Sequence, residues 1–272
     1  MTRTNNPLSE RITKHYPTFT KSNRSLADYL QAHPDKVLIL STNEIAEACS
    51  VSKTTVSRFI RSLGYEDHAE LRNELLKARD QGEPLLMDAL EGTGLQEEMR
   101  SLEQLCAQLN EMDLKPLISK IAKAKRIKII GYRNSYPLAM HFRQQLMQCR
   151  GGVDLLPLPG QTIGEDLAFI EEDDFIIVIG IRRRVNNFSK IIDLLSEHNC
   201  LLISDQSGQK YAQKVSHFLV CYMSNQVSLD SYAVPMSLIS YLSNQTYQFL
   251  NSEAVKVSGK ISASYSQLDE LE

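Results

Sequence analysis

The chain has 272 residues, 42% of them apolar, and a net charge of −3, which excludes a disordered chain or a uniformly basic one and leaves room for two domains. Its five cysteines are scattered and show no Cys-x-x-Cys or Cys/His spacing, so we expect buried free thiols, a reducing cytoplasm and no metal site. The polar N-terminus lacks a signal-peptide core and the longest apolar run covers residues 175–181, so we expect a soluble, cytoplasmic protein.

Residues 1–80 predict an all-helical domain. They carry twelve Lys or Arg against ten Asp or Glu, whereas the rest of the chain is acidic overall. Apolar periodicity, interrupted by Pro17 and Pro34, predicts helices over residues 8–16 and 21–32, and a further helix over residues 68–79. Between them, residues 41–64 predict two short helices joined by a tight turn.

Capping residues mark the ends of these two helices. Ser41 and Glu44 form an S-x-x-E capping box at the start of the first helix. Ser52 is placed to cap the second helix, and Gly64 to close it in a left-handed conformation. The second helix carries one apolar stripe, at Val56, Phe59, Ile60 and Leu63. This combination is typical of a helix-turn-helix.

The opposite face of the second helix is basic and rich in hydroxyls, and it has no acidic residue. Such a helix fits the major groove of DNA, where cations and hydroxyls pair with phosphates and base edges. The alternative is a plain helical hairpin. We predict a DNA-binding face formed by Ser52, Lys53, Thr54, Thr55, Ser57, Arg58 and Arg61.

The second half of the chain has a different pattern. Glycines and prolines followed by an amphipathic helix predict a linker and connecting helix over residues 81–112. Over residues 113–251 strands alternate with helices, which predicts an α/β domain with a doubly wound parallel sheet of the flavodoxin-like kind. Its last helix, residues 229–250, is apolar nearly all round and predicts burial in the core or against a second subunit. Residues 252–272 lack a consistent period and predict a loose tail.

The carboxyl ends of the predicted strands carry candidate ligand-binding residues. In parallel sheets the ligand crevice lies at this edge, and helix N-termini and arginine forks favour an anion there. The alternative is a pair of ordinary turns whose cations are solvated or paired with Asp173, Asp174 or Glu165. We predict an anion site formed by Gly131, Arg133, Asn134, Ser135, Arg182, Arg183, Arg184 and Ser204. No nucleophile lies beside a base and no Walker loop is present, so we predict no catalytic residue and no cofactor.

The segment AEACSVSKTTVSRFIRSLGY, residues 46–65, resembles the RpiR-type transcriptional regulators, and the likeness extends over about residues 8–250. The resemblance implies an N-terminal helix-turn-helix and a C-terminal sugar isomerase (SIS) domain. It also implies a cytoplasmic bacterial regulator, nucleoid-associated when bound to DNA, that binds pseudo-palindromic double-stranded operator DNA as a homodimer or homotetramer. The family's SIS domain typically senses a phosphosugar.

Two positions depart from that family's pattern. Ser50 stands where the turn commonly has glycine, and residues 180–185 read GIRRRV where members tend to carry S-x-S-G-x-T. Cations therefore replace the hydroxyls that cradle a phosphate. We predict a regulator whose SIS-like domain senses a small anionic metabolite, a sugar phosphate or a carboxylate, and changes operator binding. The alternatives are an SIS-like domain that only oligomerises, or a sugar-phosphate isomerase.

Overall fold

The computed structural model describes residues 7–34, 36–81, 95–223 and 229–271. These residues divide into two compact units, with the division between Glu97 and Glu98. Leu229 and Asp230 group with the first unit. Most of the predicted linker, residues 82–94, lies outside the described residues. Within the described ranges, no helix is both long and apolar enough to cross a bilayer.

The described part of the first unit is all-helical, as the sequence predicted. Its elements are α1 (Pro7–His15), α2 (Lys21–Ala32), α3 (Lys36–Ile39), α4 (Thr42–Ala48), α5 (Lys53–Ser62) and α6 (His68–Gln81). One apolar core joins them, and Ile45 of α4 and Val56 and Phe59 of α5 are fully buried in it. The single-turn helix α3 was not predicted.

The second unit is built on five parallel strands. They are β1 (Arg126–Gly131), β2 (Val153–Leu156), β3 (Asp174–Gly180), β4 (Cys200–Ser204) and β5 (His217–Val220), in the order β2-β1-β3-β4-β5. This order confirms the predicted doubly wound sheet. Because the chain passes from β1 to one side and then returns to the other, the strand order reverses between β1 and β3, where such folds hold their ligands.

Helices cover both faces of the sheet. They are α7 (Leu95–Glu111), α8 (Lys115–Lys123), α9 (Ser135–Met147), α10 (Gly164–Ala168), α11 (Phe188–Leu194), α12 (Ala233–Leu250) and α13 (Ser252–Leu268). Ile129 and Ile177 pack on one face with α8, α9 and α12, whereas Ile130 and Ile176 pack on the other with α11. This alternation explains the unbroken apolar runs of β1 and β3, since both faces are buried.

Helix α12 differs from its prediction. It begins at Ala233 rather than at residue 229. Within this chain one side of it packs against α8 and α9, and burial against a second subunit stays a prediction. On the other side Met236, Tyr241 and Phe249 keep 37%, 37% and 45% of their surface exposed.

The predicted loose tail was wrong, because residues Ser252–Leu268 form α13. Ala254 is fully buried in the core of the second unit, and the hydroxyl of Ser258 donates to the carbonyl of Gln148 at 2.7 Å. Half-buried positions recur at Val257, Ile261 and Tyr265. The helical period is carried partly by small and polar residues, which explains why apolar periodicity did not reveal it.

Candidate functional site

The helix-turn-helix geometry follows from the caps that the sequence predicted. The Ser41 hydroxyl accepts from the Glu44 N–H at 3.4 Å, and the Glu44 carboxylate accepts from the Ser41 N–H at 2.7 Å. These bonds hold the pKa of Glu44 below its usual range. The Ser52 hydroxyl accepts from the Thr55 N–H at 3.1 Å and caps α5. Gly64 has φ +89° and ends the second helix as predicted.

The turn between α4 and α5 has its left-handed residue at Ser50, with φ +53°. A serine there costs free energy that a glycine would not. The turn is held by hydrogen bonds from the Ser50 N–H to the Glu47 carbonyl at 3.1 Å and from the Val51 N–H to the Ala46 carbonyl at 2.9 Å.

The predicted DNA-binding residues lie on one side of α5, opposite its buried stripe. Thr55 and Ser57 are half-buried, and the Thr55 hydroxyl lies 2.8 Å from that of Ser52. The Arg61 Nε donates to the Glu66 carbonyl at 3.3 Å, which orients this side chain towards the end of the helix. The exposed members of the set are Ser52, Lys53, Thr54, Arg58 and Arg61.

The first candidate ligand loop follows β1. A Cβ on Gly131 would lie 2.6 Å from the Ser135 carbonyl oxygen, so only glycine fits this close approach. Arg133 has φ +52°, and its side chain and that of Asn134 are exposed. Ser135 is buried, and its hydroxyl accepts from the Ile181 N–H at 3.1 Å. Ser135 therefore joins this loop to the one that follows β3.

The second candidate loop follows β3 and shares one backbone feature with the first. A Cβ on Gly180 would lie 2.4 Å from the Phe188 ring. Arg182, two residues after the glycine as Arg133 is, has φ +57°. Its side chain and that of Arg184 are 8% and 11% exposed, whereas Arg183 is exposed to solvent. The two loops thus meet at the reversal point of the sheet, and each has a left-handed arginine two residues after its glycine.

The partner of the buried arginines is Asp205, which follows β4 and which the predicted site omitted. Its carboxylate contacts Arg184 Nη2 and lies 3.9 Å from Arg182 Nη1. Ser204, which was predicted, is fully buried; its hydroxyl donates to the Gly180 carbonyl at 2.7 Å and accepts from Arg184 at 2.6 Å. The adjacency of the ends of β3 and β4 is the signal that could have identified Asp205.

The alternative reading of the sequence paired these arginines with Asp173, Asp174 or Glu165. For Asp174 the structure contradicts that pairing. Asp174 begins β3 and lies one strand length, roughly 23 Å, from the loop that ends it. Its carboxylate accepts from Arg126 Nε at 3.4 Å and lies 4.0 Å from Lys128 Nζ. Asp174 therefore pairs with cations at the amino ends of the strands, away from the candidate ligand loops.

The cysteine thiols lie outside the two candidate sites described above. Burial raises the pKa of the Cys200 thiol to about 12 and, with a smaller contribution from Asp205, raises that of Cys221 further. All five cysteines are free, but Cys49 is half-buried and Cys106 is exposed, so the prediction of buried thiols was correct only for the other three. Among the described residues, no three His, Cys, Asp or Glu side chains are grouped to hold a metal ion.

Comparison with known proteins follows the division into two units. A sequence model described as a helix-turn-helix domain of the rpiR family matches residues 6–82, and a model of the SIS domain matches residues 120–244. Together they span most of the chain and define its class, a helix-turn-helix joined to an SIS domain. The chain belongs to the RpiR family of transcriptional regulators.

Curated relatives agree with this assignment. An uncharacterized HTH-type transcriptional regulator from Haemophilus influenzae is 28% identical over 167 residues, which cover 57% of this chain but only 58% of that protein. The uncharacterized HTH-type transcriptional regulator YfhH of Escherichia coli is 27% identical over 195 residues, 65% of this chain and 68% of YfhH.

Two solved structures share the fold. The sugar isomerase domain of an RpiR transcription factor from Sphaerobacter thermophilus has a TM-score of 0.55 at 17% identity, and covers 62% of this chain and 97% of its own. Vibrio vulnificus NanR, complexed with ManNAc-6P, has a TM-score of 0.56 at 15% identity and covers 96% of this chain and 98% of its own.

Proposed function

We propose that this transcriptional regulator reads operator DNA with the exposed face of α5 and changes its operator affinity when a small anionic metabolite binds at the carboxyl ends of β1 and β3. The observation that carries the DNA part is the face itself, since Lys53, Arg58 and Arg61 are exposed on one helix that has no acidic residue. The capped N-terminus adds hydroxyls and a positive helix end, both suited to phosphate contacts.

Arg58 is the residue we expect to matter most for base recognition. It is exposed in the middle of α5, between the capped start of the helix and Arg61. An arginine at such a position can pair in bidentate fashion with a guanine edge, which is worth about 1–3 kcal/mol. Lys53 and Arg61, towards the two ends of the helix, are better placed for phosphates.

The DNA proposal is tested by replacing Arg58. A DNA fragment is first selected from a genomic library with the wild-type protein, and its affinity for Arg58→Ala is then measured by fluorescence anisotropy. We expect a loss of about tenfold or more, from the lost guanine pairing. Arg72→Ala, which removes an exposed cation from α6, is the matched control and should cost far less. Equal losses in both variants would contradict base reading by α5.

The anion proposal is supported by the two loops that meet at the reversal point of the sheet. Both place an arginine in the left-handed region two residues after a strand-ending glycine, and such strain concentrates at functional sites. Arg133, Asn134 and Arg183 are exposed there and available to a ligand. NanR, which shares this fold, was solved with a phosphosugar. We therefore propose a sugar phosphate or a carboxylate as the effector.

The anion proposal is tested through the DNA complex. Inorganic phosphate, citrate and a panel of sugar phosphates are titrated into the wild-type complex, and the change in operator affinity is measured. Arg183→Ala should abolish the response and keep operator binding, because Arg183 is exposed and lies outside the core. Lys190→Ala, on the exposed side of α11, is the control cation and should respond as the wild type does. A normal response in Arg183→Ala would place the ligand elsewhere.

The exposed apolar side of α12 supports a homodimer or homotetramer joined through the SIS domain. Tyr241 and Phe249 line a cleft of about 540 Å³ with Met112 and Ile118. A two-fold dimer would read half-sites roughly 34–36 Å apart.

We further propose that the regulator acts in the bacterial cytoplasm, on the nucleoid, and is not an enzyme, as the names of its relatives support.

An SIS domain that only oligomerises is the second candidate function. The observation that favours it is the internal engagement of Arg184 by Asp205, Ser204 and Ser207, which uses cations that a ligand would need. It predicts no change of operator affinity with any of the anions above.

A further inference from the structure

Asp205 forms the centre of a buried polar cluster beside the loop after β3, where the effector is proposed to bind. The residue is 1% exposed. Its carboxylate accepts from the Arg182 N–H at 3.3 Å and from the Ser207 hydroxyl at 3.0 Å, and it bonds Arg184 Nη2. A carboxylate so enclosed is held in place by its donors, and its charge is screened little by solvent.

Arg184 belongs to the same cluster and is half-buried, with 11% of its side chain exposed. Its Nη1 donates to the Ser207 hydroxyl at 3.0 Å and to the Arg182 carbonyl at 3.3 Å, and its guanidinium lies 5.6 Å from the ring centre of Phe188. Gly208 leaves room for it, since a Cβ there would lie 3.1 Å from Arg184 Nη2. The buried Nε of Arg184 has no hydrogen-bond partner among the described residues. The Nε N–H of Arg184 is thus a buried donor without an acceptor among the described residues.

We infer that Asp205 is an internal competitor of the effector and that it sets which anions the site accepts. This inference rests on the anion site proposed above. To bind Arg184, an anion must replace the Asp205 carboxylate or share the guanidinium with it. Asp205 is tethered next to its partner, so its effective concentration is far higher than that of a free ligand.

The competition has a consequence for ligand class. A free monocarboxylate offers Arg184 Nη2 the same single contact as Asp205 and loses to the tethered group. A ligand with two or more negative charges gains additional attraction to the exposed cations Arg133 and Arg183. Asp205 therefore selects for phosphate monoesters or multiply charged carboxylates.

The test removes the charge of Asp205 and keeps its shape. Asp205→Asn in the full chain retains an acceptor for the Arg182 N–H and loses the competing charge. Binding of inorganic phosphate and of acetate is measured by isothermal titration calorimetry. We expect phosphate to bind about tenfold more tightly than to the wild type, and acetate binding to become measurable only in the variant.

The matched control is Asp193→Asn. Asp193 is an exposed carboxylate that pairs with Lys214 on the surface, so its replacement changes the net charge equally but away from the cluster. Its phosphate affinity should equal that of the wild type. If Asp193→Asn and Asp205→Asn gain the same affinity, the effect is one of net charge and the inference is overturned.

The outcomes separate this inference from the proposed function. Phosphate binding by the wild type, with unchanged or weaker binding by Asp205→Asn, would overturn the competition and leave the anion site standing. No phosphate binding by either protein would overturn both. If thermal unfolding shows that Asp205→Asn does not fold, Ser207→Ala replaces it, because Ser207 bonds both partners. An unchanged phosphate affinity in Ser207→Ala would then overturn the inference.

Discussion

At the scale of single residues, three non-glycine side chains sit on left-handed backbone at functional positions. They are Ser50 in the turn between α4 and α5, and Arg133 and Arg182 in the two loops at the reversal point of the sheet. Each costs free energy that the surrounding structure must offset. In the loops the Arg133 side chain is exposed to solvent and that of Arg182 is buried beside Asp205, whereas Ser50 lies in the turn before α5.

Replacing Ser50 with glycine should stabilise the first unit. Glycine adopts φ +53° without strain, and we expect a gain of about 0.5–1 kcal/mol in the free energy of unfolding, after the entropy that glycine adds to the unfolded chain. Urea denaturation measures the change. Ser62→Gly, at a right-handed helical position, is the control and should lose about 1 kcal/mol. A loss in Ser50→Gly would show that the turn needs its serine.

Residue-level prediction succeeded where the signal was local and failed where it depended on neighbouring strands. The capping box, the Ser52 cap and the left-handed Gly64 were each predicted from residues no more than a few positions apart, and the structure confirms them. The pairing of Arg184 with Asp205 spans 21 residues and two strands. The order of the strands in the sheet decides that contact, and this order cannot be predicted from the spacing of residues within one segment of the sequence.

At the scale of elements, α5 depends on its N-cap. The Ser52 hydroxyl satisfies the Thr55 N–H, one of the free donors of the first turn. Ser52→Ala should therefore cost about 1 kcal/mol of stability. Thr54→Ala in the same turn lacks a capping role and should leave stability unchanged or slightly raised, since alanine is the better helix former. Chemical denaturation of the pair measures the difference, and equal stabilities would contradict the capping role.

Helix α13 should respond to substitution on its buried side only. Ala254 is fully buried, and a glutamate there would place an unpaired charge in the core. We expect Ala254→Glu to cost about 3 kcal/mol in the free energy of unfolding. Ser262→Glu, on the exposed side, should change it little. Equal stability of both variants, measured by chemical denaturation, would mean that α13 is not docked in solution.

At the scale of the whole molecule, acid should weaken both units. Burial lowers the pKa of His68 in the first unit and of His217 in the second, with smaller contributions from Arg72 and Lys120 respectively. Both imidazoles therefore stay neutral to a lower pH in the folded protein than in the unfolded chain, which binds protons below about pH 6.5. The stability they contribute is present above that pH and is lost as the pH falls.

Urea denaturation at pH 7.5 and at pH 5.5 should show this loss. His217→Gln removes one of the two groups and should make the stability of the second unit less dependent on pH. A protein that is more stable at the lower pH would contradict the assignment of neutral buried imidazoles.

The division of the molecule into a helical unit with a helix-turn-helix and an α/β unit was the feature most easily predicted from the sequence. Strand–helix alternation and the apolar run of β3 were sufficient for the doubly wound sheet, because buried parallel strands need such runs. The pairing of buried charges at the candidate ligand site could not be predicted in the same way, because it depends on which side chains the strand order brings together. In the loop after β3, two of the three arginines, Arg182 and Arg184, point towards the carboxylate of Asp205.

Base reading by α5 in the major groove of DNA is the central proposal for this protein. Dimethyl sulfate protection of a DNA fragment selected with the wild-type protein tests this directly, because the reagent methylates guanine N7, the atom an arginine would cover. We predict two protected half-sites about one helical turn apart. In Arg58→Ala the guanine at the centre of each half-site should lose its protection. Guanines that stay equally reactive with and without the wild-type protein, or equally protected by Arg58→Ala, would contradict it.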